Sequence, residues 1–226
     1  MESLTKDLKP KPFSFDFIKD FKPNDEETDA WEKHQKEKYA EERYEAYKKT
    51  VPQKFWKESF ETYSAESAEQ KKALEEMKAF AENPKNRIMI LCGNNGNGKS
   101  HLVCSALRVQ GGTYTRATDI CVTYDACGSF KSTMSREDYL KKLTTDRLLV
   151  IDEGGKFTLN PELEKFILSY VLSVRYDNNL PTVLVTNGKK KSFIEFLGKS
   201  VFDRLTEVCT TLEFTWESFR IRKRRS

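Results

Sequence analysis

One octapeptide restricts the fold of this chain more than any other feature. Gly93-Asn94-Asn95-Gly96-Asn97-Gly98-Lys99-Ser100 satisfies G-x-x-x-x-G-K-[ST] in full. Its flanks are the ones its chemistry needs. Ile88-Met89-Ile90-Leu91 is a short apolar run of the kind that forms a buried parallel strand, and Ser100 to Val109 reads as a helix. Strand, glycine-rich loop and helix in that order make an anion cradle. Backbone N–H groups wrap a phosphate, glycines leave room for it, and the helix aims its positive end at the same anion. Lys99 is then placed to bridge the β- and γ-phosphates of a nucleotide, and Ser100 to ligate Mg²⁺.

Leu148-Leu149-Val150-Ile151-Asp152-Glu153 supplies the second half of such a site. Four apolar residues bury a strand and deliver Asp152 to its C-terminal edge, where a carboxylate holds Mg²⁺ through water. Glu153, next in line, is positioned to orient or deprotonate an attacking water. That adjacent Glu favours an ATPase over a small-molecule kinase, whose acceptor is a bound substrate. A GTPase is disfavoured because Asn187-Gly188-Lys189-Lys190 does not match the base-reading N-K-x-D. Asn187, ending the next apolar run, could sense the γ-phosphate or the lytic water; it could equally be an ordinary turn former before Gly188. Arg204 and Arg220 are candidates for stabilising transition-state charge.

The rest of the chain alternates in the same way. Thr113-Tyr114-Thr115, Leu148 to Ile151, Thr182 to Val185 and Leu212 to Phe214 read as further strands. Helices are predicted over 119–130, 135–143 and 162–176. That alternation predicts an α/β fold, a parallel sheet with helices on both faces. Ahead of it, Glu26 to Thr50 reads as an exposed helix of opposite charges carrying Trp31, Tyr39, Tyr44 and Tyr47, a stripe that suits either internal packing or a partner. Val51-Pro52 breaks it, and Ser64 to Glu82 reads as an amphipathic helix. The expected division is a helical N-terminal segment, 1–50, and an ATPase domain, 51–226.

A length of 226 residues suits one sizeable core, and no apolar run reaches the ~20 residues needed to cross a bilayer. Met1-Glu2-Ser3-Leu4-Thr5-Lys6-Asp7 lacks an apolar targeting region, so a cytoplasmic setting is expected. Five cysteines without a C-x-x-C pair, and two histidines, argue against zinc and for reduced buried thiols. The net charge of +4 is concentrated in part at the end, where Arg220-Ile221-Arg222-Lys223-Arg224-Arg225 offers polyanions a basic run or serves merely as a solvated tail.

Together the P-loop continuing into His101-Leu102, Leu148 to Glu153, Thr186-Asn187, Leu197-Gly-Lys-Ser-Val-Phe-Asp-Arg204-Leu205 and Trp216-Glu-Ser-Phe-Arg220 resemble the DnaC/DnaI replicative helicase loaders. The related IstB transposition ATPases share most of these motifs. The resemblance covers about residues 51–226 and implies an AAA+ domain with strand order 5-1-4-3-2 and little or no C-terminal lid. It implies ATP and Mg²⁺ as ligands, with His101 and Arg220 beside the nucleotide. It makes Asn187 a first sensor, Arg204 a finger acting on a neighbouring copy and Arg220 a second sensor. It further implies a spiral oligomer around single-stranded DNA, with Phe130 and Lys131 as candidates for stacking and phosphate contact. The chain departs from the resemblance in lacking a zinc-bearing N-terminal domain and in its loop from Gly154 to Pro161.

The resulting expectation is an ATP-dependent loader of a hexameric, DnaB-type replicative helicase onto single-stranded DNA, its partner held by residues 1–50. Two rivals stay open: an IstB-like ATPase assisting a transposase on duplex DNA, and a nucleotide-switched adaptor with negligible turnover.

Overall fold

The computed structural model describes residues 25–84, 87–145, 147–155 and 159–219. The N-terminal 24 residues, Arg220 with the basic run, and 156–158 of the loop from Gly154 to Pro161 lie outside the described residues. Two compact units divide the chain, one ending at Glu41 and the other beginning at Glu42.

Helix α1 (Asp25–Thr50) runs free of Gly and Pro. Its aromatic stripe divides. Trp31 and Tyr39 are 63% and 70% exposed, whereas Tyr47 is buried. Tyr44 and Tyr47 stack at 5.9 Å and donate hydrogen bonds to the carbonyls of Trp56 and Phe55, at 3.0 and 2.8 Å. Trp56 Nε1 in turn donates to Val51 O at 2.9 Å, fastening the turn that Pro52 opens. Helix α2 (Ala68–Glu82) starts later than the 64–82 predicted, because a capping box sets its beginning: Ser67 accepts from Gln70 N, and Gln70 reaches back to Ser67 N.

Five parallel strands follow: β1 (Ile88–Gly93), β2 (Thr113–Arg116), β3 (Leu149–Asp152), β4 (Thr182–Val185) and β5 (Cys209–Phe214). Their order is β2-β3-β4-β1-β5, the predicted 5-1-4-3-2 sheet read from its other edge. The connecting helices are α3 (Lys99–Gln110), α4 (Ala117–Cys127), α5 (Arg136–Thr145), α6 (Pro161–Asp177), α7 (Lys190–Leu197) and α8 (Lys199–Leu205). Strand residues alternate between two cores. Met89, Leu91, Val150, Val183 and Val185 pack with α2 and α3 on one face. Ile88, Ile90, Leu149, Ile151 and Leu184 pack with α4 to α8 on the other. A sheet buried on both faces explains why its central strands read as continuous apolar runs.

Two further boundaries differ from the sequence reading by three residues. Helix α4 stops at Cys127, where Gly128 N turns back onto Asp125 O at 3.0 Å, so Phe130 falls in the following turn. Strand β5 begins at Cys209 rather than Leu212, its first half being only partly buried at the sheet edge. Among the described residues no helix is long and apolar enough to cross a membrane.

Candidate functional site

The phosphate loop, Asp152, Glu153 and the Asn187 turn meet at the C-terminal edge of the sheet. The loop between β1 and α3 needs left-handed backbone at Gly93, Gly96 and Gly98, with φ of 128°, 83° and 90°. Two of these glycines are also crowded. A Cβ on Gly93 would stand 2.2 Å from Phe214 O, and one on Gly98 would stand 2.6 Å from Tyr63 Cε2. The loop is therefore shaped by β5 and by the segment ahead of α2, as well as by its own sequence.

Within it, Lys99 is buried, and its Nζ donates to Gly93 O at 2.7 Å and Asn94 O at 2.6 Å. The ammonium group is thus held against the first residues of the loop. Asn94 and Asn95 are exposed. Asn97 is completely buried and points elsewhere: Nδ2 donates to Phe214 O and Trp216 O, both at 2.9 Å, and Trp216 Nε1 donates back to Asn97 O at 2.9 Å. Phe219 N also donates to Gly96 O at 2.9 Å. Thus the Trp216–Phe219 segment clasps the loop from outside. His101, on the first turn of α3, is turned to the segment ahead of α2. Its Nδ1 lies 2.6 Å from Glu58 Oε2 and its Nε2 lies 2.8 Å from Ser59 O.

Asp152 ends β3 beside this loop, and both of its oxygens are engaged. Oδ2 accepts from Ser100 Oγ at 2.9 Å and from the phenol of Tyr114 at 2.7 Å; Oδ1 accepts from Glu153 N at 2.7 Å. Ser100 and Asp152 offer a hard hydroxyl–carboxylate pair. Among the described residues no cluster of three or more His, Cys, Asp or Glu stands ready to hold a metal. One hydroxyl and one carboxylate, with phosphate oxygens and water completing the shell, are the donor set Mg²⁺ favours over an all-protein cage, so these residues fit that ion.

Glu153 carries a positive φ of 61°, a conformation rare for a side chain of its size and found where surrounding structure enforces it. The enforcement is visible. Gly154 N donates to Val185 O at 2.9 Å, Thr186 Oγ1 donates to Gly154 O at 2.9 Å, and Gly155 N donates to buried Glu164 Oε1 at 2.7 Å. Thr186 Oγ1 also accepts from Gly188 N at 3.1 Å, so one hydroxyl fastens both the Glu153 turn and the Asn187 turn. Gly93 N donates to Gly188 O at 3.3 Å, laying the Asn187 turn against the start of the phosphate loop.

Arg204 is exposed on α8, while Phe130 and Lys131 are exposed beyond α4. Arg220 lies outside the described residues. A cleft of about 910 Å³ opens beside Gly93 and Asn94, between β5 and the pair α7 and α8, with Lys189, Lys190, Phe202 and Asp203 in its wall. The sequence gives Tyr114 only a strand position and Thr186 only a place in the Thr186-Asn187 motif; the roles of their hydroxyls come from the structure.

A family described as IstB-like ATP binding protein matches residues 27–226. Two curated proteins are similar to this chain. The ATP-binding protein of insertion sequence IS232 from Bacillus thuringiensis subsp. berliner is 28% identical over 151 residues, 63% of this chain and 58% of its own length. That of insertion sequence IS21 from Pseudomonas aeruginosa is 26% identical over 165 residues, 69% of this chain and 60% of its own. The chain thus spans about three fifths of these relatives. Among solved structures, the DnaC helicase loader is similar with a TM-score of 0.63 at 20% identity, over 72% of this chain and 99% of that one. The DnaI structure follows at 0.59 and 15%, over 74% and 93%. DnaA bound to AMPPCP and single-stranded DNA gives 0.59 and 16%, over 74% and 51%. At these identities the likeness is one of fold, that of AAA+ P-loop proteins.

Proposed function

The chain belongs to the IstB-like ATP-binding family, and from that premise we propose that it is a Mg²⁺-dependent ATPase assisting a transposase on DNA. The observation that carries the catalytic half is the placement of Glu153 directly after a carboxylate held on both oxygens beside the phosphate loop. The partner half rests on the two curated relatives, both ATP-binding proteins of insertion sequences.

In this reading the backbone of Gly93 to Ser100 binds the β-phosphate, and Lys99 leaves the Gly93 and Asn94 carbonyls to meet the β- and γ-oxygens. Ser100 and Asp152 hold Mg²⁺, which when bound neutralises charge on the β- and γ-phosphates. Glu153 accepts the proton of the attacking water, and Asn187, fixed through Thr186, orients that water or the γ-phosphate. Arg204, exposed on α8, supplies positive charge to a neighbouring copy's site, so that ATP holds copies together as a spiral oligomer. Phe130 and Lys131 contact nucleic acid by stacking and charge. The N-terminal segment, 1–50, grips the protein partner, with Trp31 and Tyr39 as its exposed aromatic contacts.

A second reading, loading of a hexameric replicative helicase onto single-stranded DNA, is supported by the run Leu197–Leu205 and by the DnaC likeness over nearly all of that loader's chain. It needs the same ATP chemistry and differs in partner. The experiment that separates them uses the Glu153→Gln protein with ATP in cells that naturally carry the gene. Retention of a transposase supports the first reading. Retention of a hexameric helicase favours the second, and rapid turnover by the wild type excludes a mere nucleotide-switched adaptor.

A further inference from the structure

Tyr114 is buried in β2 with its ring among Leu102, Val150 and the rest of the α3-facing core. Phenylalanine would fill that volume equally well. A hydroxyl taken out of water is unfavourable unless it finds a partner, and this one finds Asp152 Oδ2 at 2.7 Å. A donor to a carboxylate makes a stronger bond than one to a neutral acceptor. The phenol is therefore aimed at a side chain that the proposed ATPase needs in a fixed pose.

The three groups that hold Asp152 differ in what else they do. Ser100 faces the metal position, and its hydroxyl must share its oxygen there. Glu153 N belongs to the turn that carries the catalytic carboxylate. Tyr114 alone comes from a strand outside the phosphate site, paired in register with β3 through Tyr114↔Val150 and Arg116↔Asp152. Its bond can persist while the other two rearrange during turnover.

From this geometry we infer that Tyr114 is a positioning residue for Mg²⁺: its phenol holds the Asp152 carboxylate in the orientation that accepts the hydrated ion. The inference rests on the ATPase reading above and adds to it a residue that touches neither nucleotide nor metal. Groups that orient a metal's ligands are worth about tenfold or more in metal affinity.

The test is a Mg²⁺ titration of labelled-ATP binding to the wild type and to Tyr114→Phe, with binding in EDTA as the metal-free reference. The expected result is equal affinity in EDTA and a rise of about tenfold in the Mg²⁺ concentration for half-maximal effect. In an Asp152→Asn background, Tyr114→Phe should add nothing, since the carboxylate it orients is gone. Superimposable Mg²⁺ curves for wild type and Tyr114→Phe would overturn the inference and leave the ATPase reading intact. Equal losses with and without Mg²⁺, or an undiminished effect in the Asp152→Asn background, would reduce Tyr114 to a packing residue. A wild type whose ATP binding ignores Mg²⁺ would contradict the ATPase reading itself.

Discussion

Asn97 and Trp216 exchange hydrogen bonds across 119 residues of sequence, Nδ2 to carbonyl in one direction and indole Nε1 to carbonyl in the other, each 2.9 Å long. The phosphate loop is thereby bolted to the segment leaving β5. Asn97→Ala removes the side-chain half of this clasp and strands two carbonyls. The expected cost is about 2–4 kcal/mol of stability, with weakened ATP binding. Chemical denaturation of the variant with and without ATP measures both.

A Cβ added to Gly98, whose φ is 90°, would stand 2.6 Å from the Tyr63 ring and 3.2 Å from the Phe219 ring. Gly98→Ala combines backbone strain with a clash, and should cost about 1–3 kcal/mol while distorting the cradle. Tyr63→Leu in the same chain relieves the clash but not the strain, so thermal stability should recover only in part. Full recovery would assign the whole cost to the ring.

Thr186 joins the Glu153 turn to the Asn187 turn through one hydroxyl. Thr186→Val keeps the shape and removes both bonds. Steady-state kinetics should show kcat falling about tenfold with KM for ATP little changed, because in the proposed mechanism the loss falls on groups acting in the transition state.

The thiols report on burial. Burial pushes Cys92 and Cys209 up to about 11 and Cys121 to about 12, from an ordinary value of 9.0. The folded protein therefore favours the neutral thiol. That contribution is fully present below pH 9 and is lost as pH rises from about 9 towards 11 and 12. At pH 8 the thiolate population should make native alkylation slower than after denaturation by about 100-fold at Cys92 and Cys209 and about 1,000-fold at Cys121, which mass spectrometry after timed iodoacetamide labelling can measure.

The parallel sheet was legible in the alternation of strands and helices, its strand order only through the family resemblance, and the phosphate loop in residue types whose chemistry allows few alternatives. Only glycine fits Gly93 and Gly98, and only an apolar run can carry Asp152 to a buried strand end. What escaped the sequence depends on which way a side chain points. Thr113-Tyr114-Thr115 announces a short strand but not that its phenol meets a carboxylate from 38 residues away. Asn97, inside the motif, reads as a cradle residue, yet its side chain serves β5. His101 follows the same motif, and its ring serves Glu58 and Ser59. The start of β5 was missed because a half-exposed edge strand lacks the continuous apolar run of a central one.

The central claim is that Glu153 activates water on ATP bound between the phosphate loop and Asp152. Single-turnover hydrolysis by the wild type and by Glu153→Gln, with ATP affinity measured in parallel, tests it most directly. The account predicts unchanged affinity and a hydrolysis rate lowered by about 100-fold or more, within the range for loss of a general base. Hydrolysis at the wild-type rate by Glu153→Gln, with ATP still bound, would contradict it.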